Sequence, residues 1–413
     1  MDKVAKLLCE YQDLFPTKFT DLKGIIGDLG VMKIMLKPDA KPIKQRPYRL
    51  NAKYKEKVHL ELDKMLAEDI IEPIKEFDWV SPMVVQEKKQ KDEIRICIDL
   101  RKLNDACIHD PFSTLFTNEV LDNVGGQEVY SFTNGFSGYH QIKIVPEDRS
   151  KTIFVTDLGC FQYNVMPFRL KNAPTIFSLV FIVAFKEFIH KFLEVYFDDW
   201  TVFWLVKHHA ASLCLMLDNY QRYHIALNLK KCLFCVPFGT LLGHVVCKQG
   251  LMVDPAKITV ILNMEAPRSV KQLHTTLGHT RYYRNFIRGY AQITEPMEKL
   301  LKKDVTFCWN KDCKKILDVL KEKMVTMPIL VFPNWKKEFH VHVGTSCIAL
   351  GAVQTQASGE LDHPIMFASR RLSKPNKSYS NTKQKGYPWY THSKSLYTIF
   401  WVAILRCIRI ILH

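Results

Sequence analysis

LEVYFDDWTVF, residues 193–203, is an apolar run broken in its middle by two adjacent carboxylates, Asp198 and Asp199. Aromatic and β-branched residues dominate on both sides, which is strand composition. A paired aspartate is a natural place for such a run to turn, so the stretch is expected to be a tight β-hairpin with both carboxylates at its tip. Two carboxylates held side by side in apolar surroundings are unfavourable unless cations neutralise them. Divalent metal is the expected partner, because magnesium takes a few carboxylates together with substrate phosphates. An isolated Asp-Asp pair is more often a solvated acidic turn, so the neighbourhood has to decide.

Upstream, residues 174–189 are apolar enough throughout for a buried helix, and 139–161 alternates in two pieces around Pro146, Glu147 and Asp148, which predicts a strand pair. Residues 80–85 and 94–100 are short β-branched runs separated by EKKQKDE (87–93), a hairpin with a basic tip. In 51–71 the apolar positions Val58, Leu60, Leu62, Met65 and Leu66 recur at helical spacing. Residues 1–40 mix short apolar runs with Pro16 and Pro38 and read as a lead-in or linker segment. Downstream, helices are expected from Asp254 to about Lys303 and from Lys311 to Met324, with basic polar faces. Strands at 338–343 and 348–354 open a second β-rich unit after Pro333.

A chain of 413 residues exceeds one hydrophobic core, and 47% hydrophobic with 24% charged residues is globular composition, which excludes a disordered polypeptide. Lys and Arg outnumber Asp and Glu by 58 to 42, a net charge of +16, as a protein tracking a phosphate backbone would have. Plain solubility charge would look the same, so motifs carry the decision. The opening MDKVAKLLCEYQ has neither a long apolar core nor a small-residue cleavage site, and the expected location is intracellular, cytoplasmic or nuclear. Twelve irregularly spaced cysteines then read as reduced thiols. The apolar tail 395–413 is interrupted by Arg406 and Arg409 and is shorter than the roughly 18 residues of a membrane span, so no membrane partner is expected.

Five blocks set the hairpin in context: RICIDLRKLN (95–104), FTNGFSGYHQI (132–142), VMPFRLKNAP (165–174), YFDD (196–199), and LGH (242–244) followed by DPAKI (254–258). In this order and spacing the chain resembles the reverse transcriptases of gypsy-class long-terminal-repeat retrotransposons over most of its length. The resemblance implies an α+β right-hand polymerase (fingers, palm, thumb) followed by a truncated RNase H-like α/β unit. Fingers and palm would occupy 41–250, thumb and connection helices 251–332, and the partial RNase H-like unit 333–413. The implied reaction is RNA-directed DNA synthesis from deoxynucleoside triphosphates (dNTP) on an RNA or DNA template with a primer, using two Mg²⁺ or Mn²⁺ ions. Asp198 would be the metal-binding carboxylate and Asp199 its more tolerant neighbour. Tyr139 would gate the sugar 2′ position, Arg95 with Lys88 or Lys89 would grip the triphosphate, and Phe168 would line the nucleotide pocket. Leu242, Gly243 and His244 would form the primer grip, where glycine lets backbone approach closely.

The departures from the family pattern are specific. Asn134 stands where the family has the second metal-bridging aspartate; an amide carries no net charge, and a loss of several kcal/mol at this point slows catalysis roughly a hundred- to ten-thousand-fold. Arg169 stands where the family has a glycine beside the nucleotide pocket. A crippled polymerase is expected, with an inactive primer–template-binding protein or a translated retroelement remnant as the alternatives. Asn134-Gly135 is also a pairing prone to deamidation, which would restore a carboxylate. In the C-terminal unit FHVHVGTS (339–346), GAVQ (351–354), PI (364–365) and ASR (368–370) resemble the start of a retroelement RNase H domain, but its first catalytic aspartate falls at Gly344 and its helix glutamate at about Lys385. RNase H activity is not expected, and the run after Lys385, with Pro388, reads as unlike any element of that domain, as a frame disruption would leave it. Cys232, Cys235, His244 and Cys247 superficially suggest zinc, and His340 with His342 a cation pair; both are read as structural.

Overall fold

The computed structural model describes residues 2–75, 78–87, 94–112, 117–359, 361–372 and the backbone of 408–412. The chain divides into two compact units, Met1–Pro237 and Phe238–His413.

In the first unit a four-stranded antiparallel sheet runs in the order Leu233–Val236, Val129–Asn134, Asp199–Trp204, Leu193–Tyr196. The apolar run 193–203 is the hairpin its composition predicts. Helices Ala173–Phe185 and Val206–Tyr223 cover this sheet. The first is apolar on all sides and is buried accordingly, with Pro174 in its opening turn, where no backbone donor is needed. Phe181 stacks on Trp200 at 4.4 Å and Phe185 meets Tyr220 edge-on at 4.9 Å, so the aromatic core lies directly beneath the hairpin. A five-stranded sheet carries Ile71–Pro73, Gly159–Tyr163, Phe154–Thr156, Ser81–Glu87 and Ile94–Ile98 in that order. The predicted 80–100 hairpin is there, and its basic tip lies outside the described residues.

Two expectations for this unit are corrected. Residues 139–161 are not one strand pair about Pro146. Pro146 opens a short helix, Pro146–Arg149, and the hairpin comes later, Phe154–Thr156 with Gly159–Tyr163 around Asp157 and Leu158. The proline ring fixes a helical φ, and the Asp148 carboxylate in that turn accepts from the Ile34 backbone and the Lys151 ammonium. The segment 1–40 is not a linker: Tyr11, Leu14, Ile25, Met32 and Ile34 are buried in the unit's core, and Val31–Met32 pairs in parallel with Lys143–Ile144.

The second unit opens with a three-stranded meander, Phe238–Leu241, His244–Cys247 and Gly250–Val253, so the 242–244 block falls in this unit and not with 41–237. The single helix expected over 254–303 is several. Asp254 caps Pro255–Leu262, Pro267 interrupts, and Ser269 caps Val270–Tyr282. Two short helices, Tyr290–Ile293 and Glu295–Lys299, then precede Lys311–Val325. Leu273, Leu277, Tyr283, Phe286, Leu320 and Met324 form their core. A further sheet has the order Leu361–Arg371, Ala349–Ser358, Phe339–Thr345, Ile408–Leu412. The last strand runs parallel to Phe339–Thr345, so the tail expected to depart from the domain returns to its sheet. Among the described residues no helix is long and apolar enough to cross a membrane.

Candidate active site

The hairpin turns through Phe197 and Asp198, with Phe197 at φ +49°, a conformation that a bulky residue holds only when its surroundings enforce it. Asp199 is the first residue of the returning strand and lies in register with Tyr196 on one side and Asn134 on the other. The three positions expected to form the metal site therefore meet at one sheet end. Asn134 Nδ2 donates to Asp199 Oδ1 at 2.9 Å, and the Gly135 backbone N–H donates to the Asp198 carbonyl oxygen at 3.3 Å. Asp198 is half-buried and its Oδ1 has no hydrogen-bond donor. Burial first and the Asp199 charge second push its carboxyl up, and Lys231 opposes them.

These residues fit a divalent ion only in part. The undonated Asp198 oxygen and its neighbour Asp199 are a suitable hard-oxygen pair, but the third position offers an uncharged amide that donates to Asp199 instead of a second bridging carboxylate. Among the described residues no group of three or more His, Cys, Asp or Glu is arranged to hold a metal. Two unit charges 4 Å apart interact by about 1 kcal/mol in water and about 4 kcal/mol at a protein surface, so replacing a carboxylate by an amide here is a large local change. Deamidation is hindered as well: closure by the Gly135 nitrogen on the Asn134 side chain has to break both hydrogen bonds just named.

The loop after Asn134 brings up the pocket wall. At Gly138 a Cβ would come within 3.0 Å of both Asp198 Oδ1 and the Phe177 ring, so only glycine permits this approach. Tyr139 packs between Phe168 (5.2 Å) and Phe177 (5.1 Å), and burial together with the Asp198 charge pushes its phenol up to about 12. Phe168 remains 48% exposed. The buried Gln141 amide ties the loop to its neighbour strand segment, donating to Phe136 and Ala226 carbonyls and accepting from the Ala226 N–H.

Arg169 sits at φ +74°, a glycine conformation occupied by a branched-off cation. Asn104 secures the bend, donating to the Arg169 carbonyl and accepting from the Lys171 N–H, both at 2.8 Å. Nearby in sequence, Arg101 holds the buried Asp99 carboxyl down to about 2, with Tyr48 adding a hydrogen bond. Sequence reading did not single out Gly138, Gln141, Asn104 or Lys231, although all but Lys231 stand inside the quoted blocks. Arg95 is exposed on the strand Ile94–Ile98 opposite Gln86, in the five-stranded sheet, and Lys88 lies outside the described residues.

In the second unit Leu242 (φ +50°) and Gly243 (φ +69°) form a tight turn of the kind that joins two-residue hairpins. Two consecutive tyrosines clamp it: Tyr282 donates to the Leu242 carbonyl and Tyr283 to the Gly243 carbonyl, the latter at 2.7 Å. His244 stacks among Tyr282, Tyr283 and Phe286, and its Nδ1 lies 3.1 Å from the Leu242 carbonyl. A cavity of about 520 Å³ opens beside the turn, lined by Lys257, Thr275, Gly278 and Tyr282 among others. Gly344 pairs with Gly351, and a Cβ there would meet nothing within 4 Å, so an aspartate would fit where none is present. Lys385 lies outside the described residues. His340 and His342 share the Asp362 carboxylate at 2.9 and 3.3 Å, a satisfied pair as read from the sequence.

Residues 86–277 match the reverse transcriptase (RNA-dependent DNA polymerase) family, and residues 309–402 match an RNase H-like domain found in reverse transcriptase. The second match begins earlier than the expected 333 and takes in the helix Lys311–Val325. Among curated relatives, the retrovirus-related Pol polyprotein from transposon opus of Drosophila melanogaster is 31% identical over 401 residues, covering 93% of this chain and 40% of the relative. Those from transposons 297 and gypsy of the same organism are 32% and 28% identical, covering 82% and 84% of this chain and 32% and 35% of their own lengths. The chain thus spans roughly a third to two-fifths of these relatives. Among solved structures, the foamy viral protease-reverse transcriptase dRH in complex with double-stranded DNA superposes with a TM-score of 0.87 at 19% identity, covering all of this chain and 71% of that one. The same viral protein with an RNA/DNA hybrid gives 0.85 at 18%, covering all of this chain and 55% of that one. The fold is that of a right-hand polymerase. With the ordered motifs and the gathered hairpin, these matches place the chain in the reverse transcriptase family of retrovirus-related transposon Pol polyproteins, as a reverse transcriptase domain followed by an RNase H-like one.

Proposed function

We propose that this chain is the polymerase portion of a retrotransposon Pol polyprotein, an RNA-directed DNA polymerase whose catalytic step is impaired. The observation that carries the impairment is the Asn134 amide bonded to Asp199 where a carboxylate is needed. In the proposed active form, Mg²⁺ or Mn²⁺ would sit on Asp198 and Asp199 and supply electrophilic activation of hydroxyl and phosphate. The chain's own residues do the rest. Tyr139 and Phe168 form the aromatic wall for sugar and base, Gly138 lets that wall approach Asp198, and the clamped Leu242-Gly243 turn presents backbone to a primer end. The net charge of +16 suits phosphate contacts along a template–primer, and dNTP is the proposed second substrate. The viral relatives captured with double-stranded DNA and with an RNA/DNA hybrid support nucleic acid as the partner.

A binding-only protein is the second reading, favoured by the same amide. Fluorescence anisotropy with a labelled RNA–DNA primer–template tests the shared part of both readings. Binding that weakens steeply with salt is expected, and no binding at low salt overturns both.

A further inference from the structure

We infer that Asn134 replaces a cation as the partner of the hairpin carboxylates, so that this palm closes without divalent metal and holds such ions only weakly. The inference rests on reading the hairpin as a polymerase centre.

Asn134 ends the strand Val129–Asn134 directly opposite Asp199. Like charges directly opposed across antiparallel strands are destabilising. An aspartate at 134 would therefore face Asp199 across the ladder, with Asp198 one residue away, and three carboxylates would share one sheet end. Such a cluster is destabilised by mutual repulsion, which bound cations relieve. The amide reverses the sign of the contact, because its N–H donates to Asp199 at 2.9 Å. The strand end is fastened by two more bonds that need no metal: the Asn134 carbonyl accepts from the Asn228 N–H at 2.8 Å, and the Gly135 N–H donates to the Asp198 carbonyl. Asn228 leads into the turn Leu229–Lys231, which brings the Lys231 charge within electrostatic reach of Asp198. Asp198, Asp199 and Lys231 together carry one formal negative charge, where an aspartate at 134 would make it two. The palm is thereby partly neutralised without metal, and a divalent ion would find two carboxylates there where three would otherwise stand.

The test is thermal unfolding of the full chain, with the natural sequence, Asn134→Asp, Asn134→Ala and Asp198→Asn compared in EDTA and across a titration of MnCl₂. The natural chain is expected to melt at the same temperature in EDTA and in Mn²⁺. Asn134→Asp is expected to melt lower in EDTA and to recover as Mn²⁺ is added. Asn134→Ala, which loses the hydrogen bond without gaining a charge, is expected to melt lower and stay there. Asp198→Asn reports any effect of Mn²⁺ elsewhere on the chain. The inference is overturned if the natural chain gains as much from Mn²⁺ as Asn134→Asp does, or if Asn134→Asp is as stable as the natural chain in EDTA. Should Asn134→Asp fail to fold without metal, Asn134→Ala still decides, since a melting temperature equal to the natural one refutes the role of the amide. Failure of the polymerase reading shows separately, as loss of primer–template binding with these metal responses intact.

Discussion

Replacing Arg169 by glycine should stabilise the protein, although it removes a large side chain. Arg169 holds φ +74°, and an L-residue in this left-handed region costs about 1–2 kcal/mol relative to its preferred wells. Glycine removes that cost but loses about 0.5–1 kcal/mol more backbone entropy on folding. The bend is kept by the two Asn104 hydrogen bonds, which use only the backbone of 169 and 171 and survive the substitution. The net gain is about 0.5–1 kcal/mol, or roughly 1–4 °C in melting temperature for a unit of this size. Arg169→Ala is the control, because it removes the same charge and bulk yet keeps a Cβ. Thermal melts of the three proteins decide. Equal gains for glycine and alanine would mean that the arginine side chain, not the backbone, was the burden, and a loss for glycine would mean that the left-handed bend carries no strain.

Gly138→Ala should lower stability by about 1–3 kcal/mol in denaturant titration, because its Cβ would sit 3.0 Å from Asp198 Oδ1 and from the fully buried Phe177 ring. Tyr283→Phe should cost about 1 kcal/mol by the same titration, since the Gly243 carbonyl loses its donor. Burial pushes the His209 imidazole down to about 4, so it stays neutral when folded but takes a proton near pH 6.5 when unfolded. Its contribution is complete above that pH and is lost as pH falls toward 4, about 2 kcal/mol between pH 7 and 5. His209→Asn should flatten the pH dependence of stability over that range, and an unchanged slope would show that other groups set it.

The hairpin and its two carboxylates were legible because they lie in a short run whose chemistry is local, whereas the substituted position 134 was legible only through the resemblance to reverse transcriptases. The resemblance likewise put a glycine at position 169, where the backbone has φ +74°. What could not be read depends on partners far along the chain. Asn104 acts on a bend 65 residues away, and Tyr282 and Tyr283 clamp a turn 40 residues before them. Alternation in 139–161 suggested strands, but a proline that starts a helical turn and an aspartate bonded to Ile34 overrode it. Residues 1–40 looked like a linker because their apolar positions are scattered, and only the folded unit gathers Tyr11, Leu14 and Met32 into one core.

Primer extension on an RNA template, with the natural chain and Asn134→Asp side by side in Mg²⁺ and in Mn²⁺, shows whether the amide at 134 is what stops catalysis. Extension by Asn134→Asp and little or none by the natural chain is expected, with the further Arg169→Gly change raising the product yield. Extension by the natural chain equal to that of Asn134→Asp would mean that the amide does not impair the metal site.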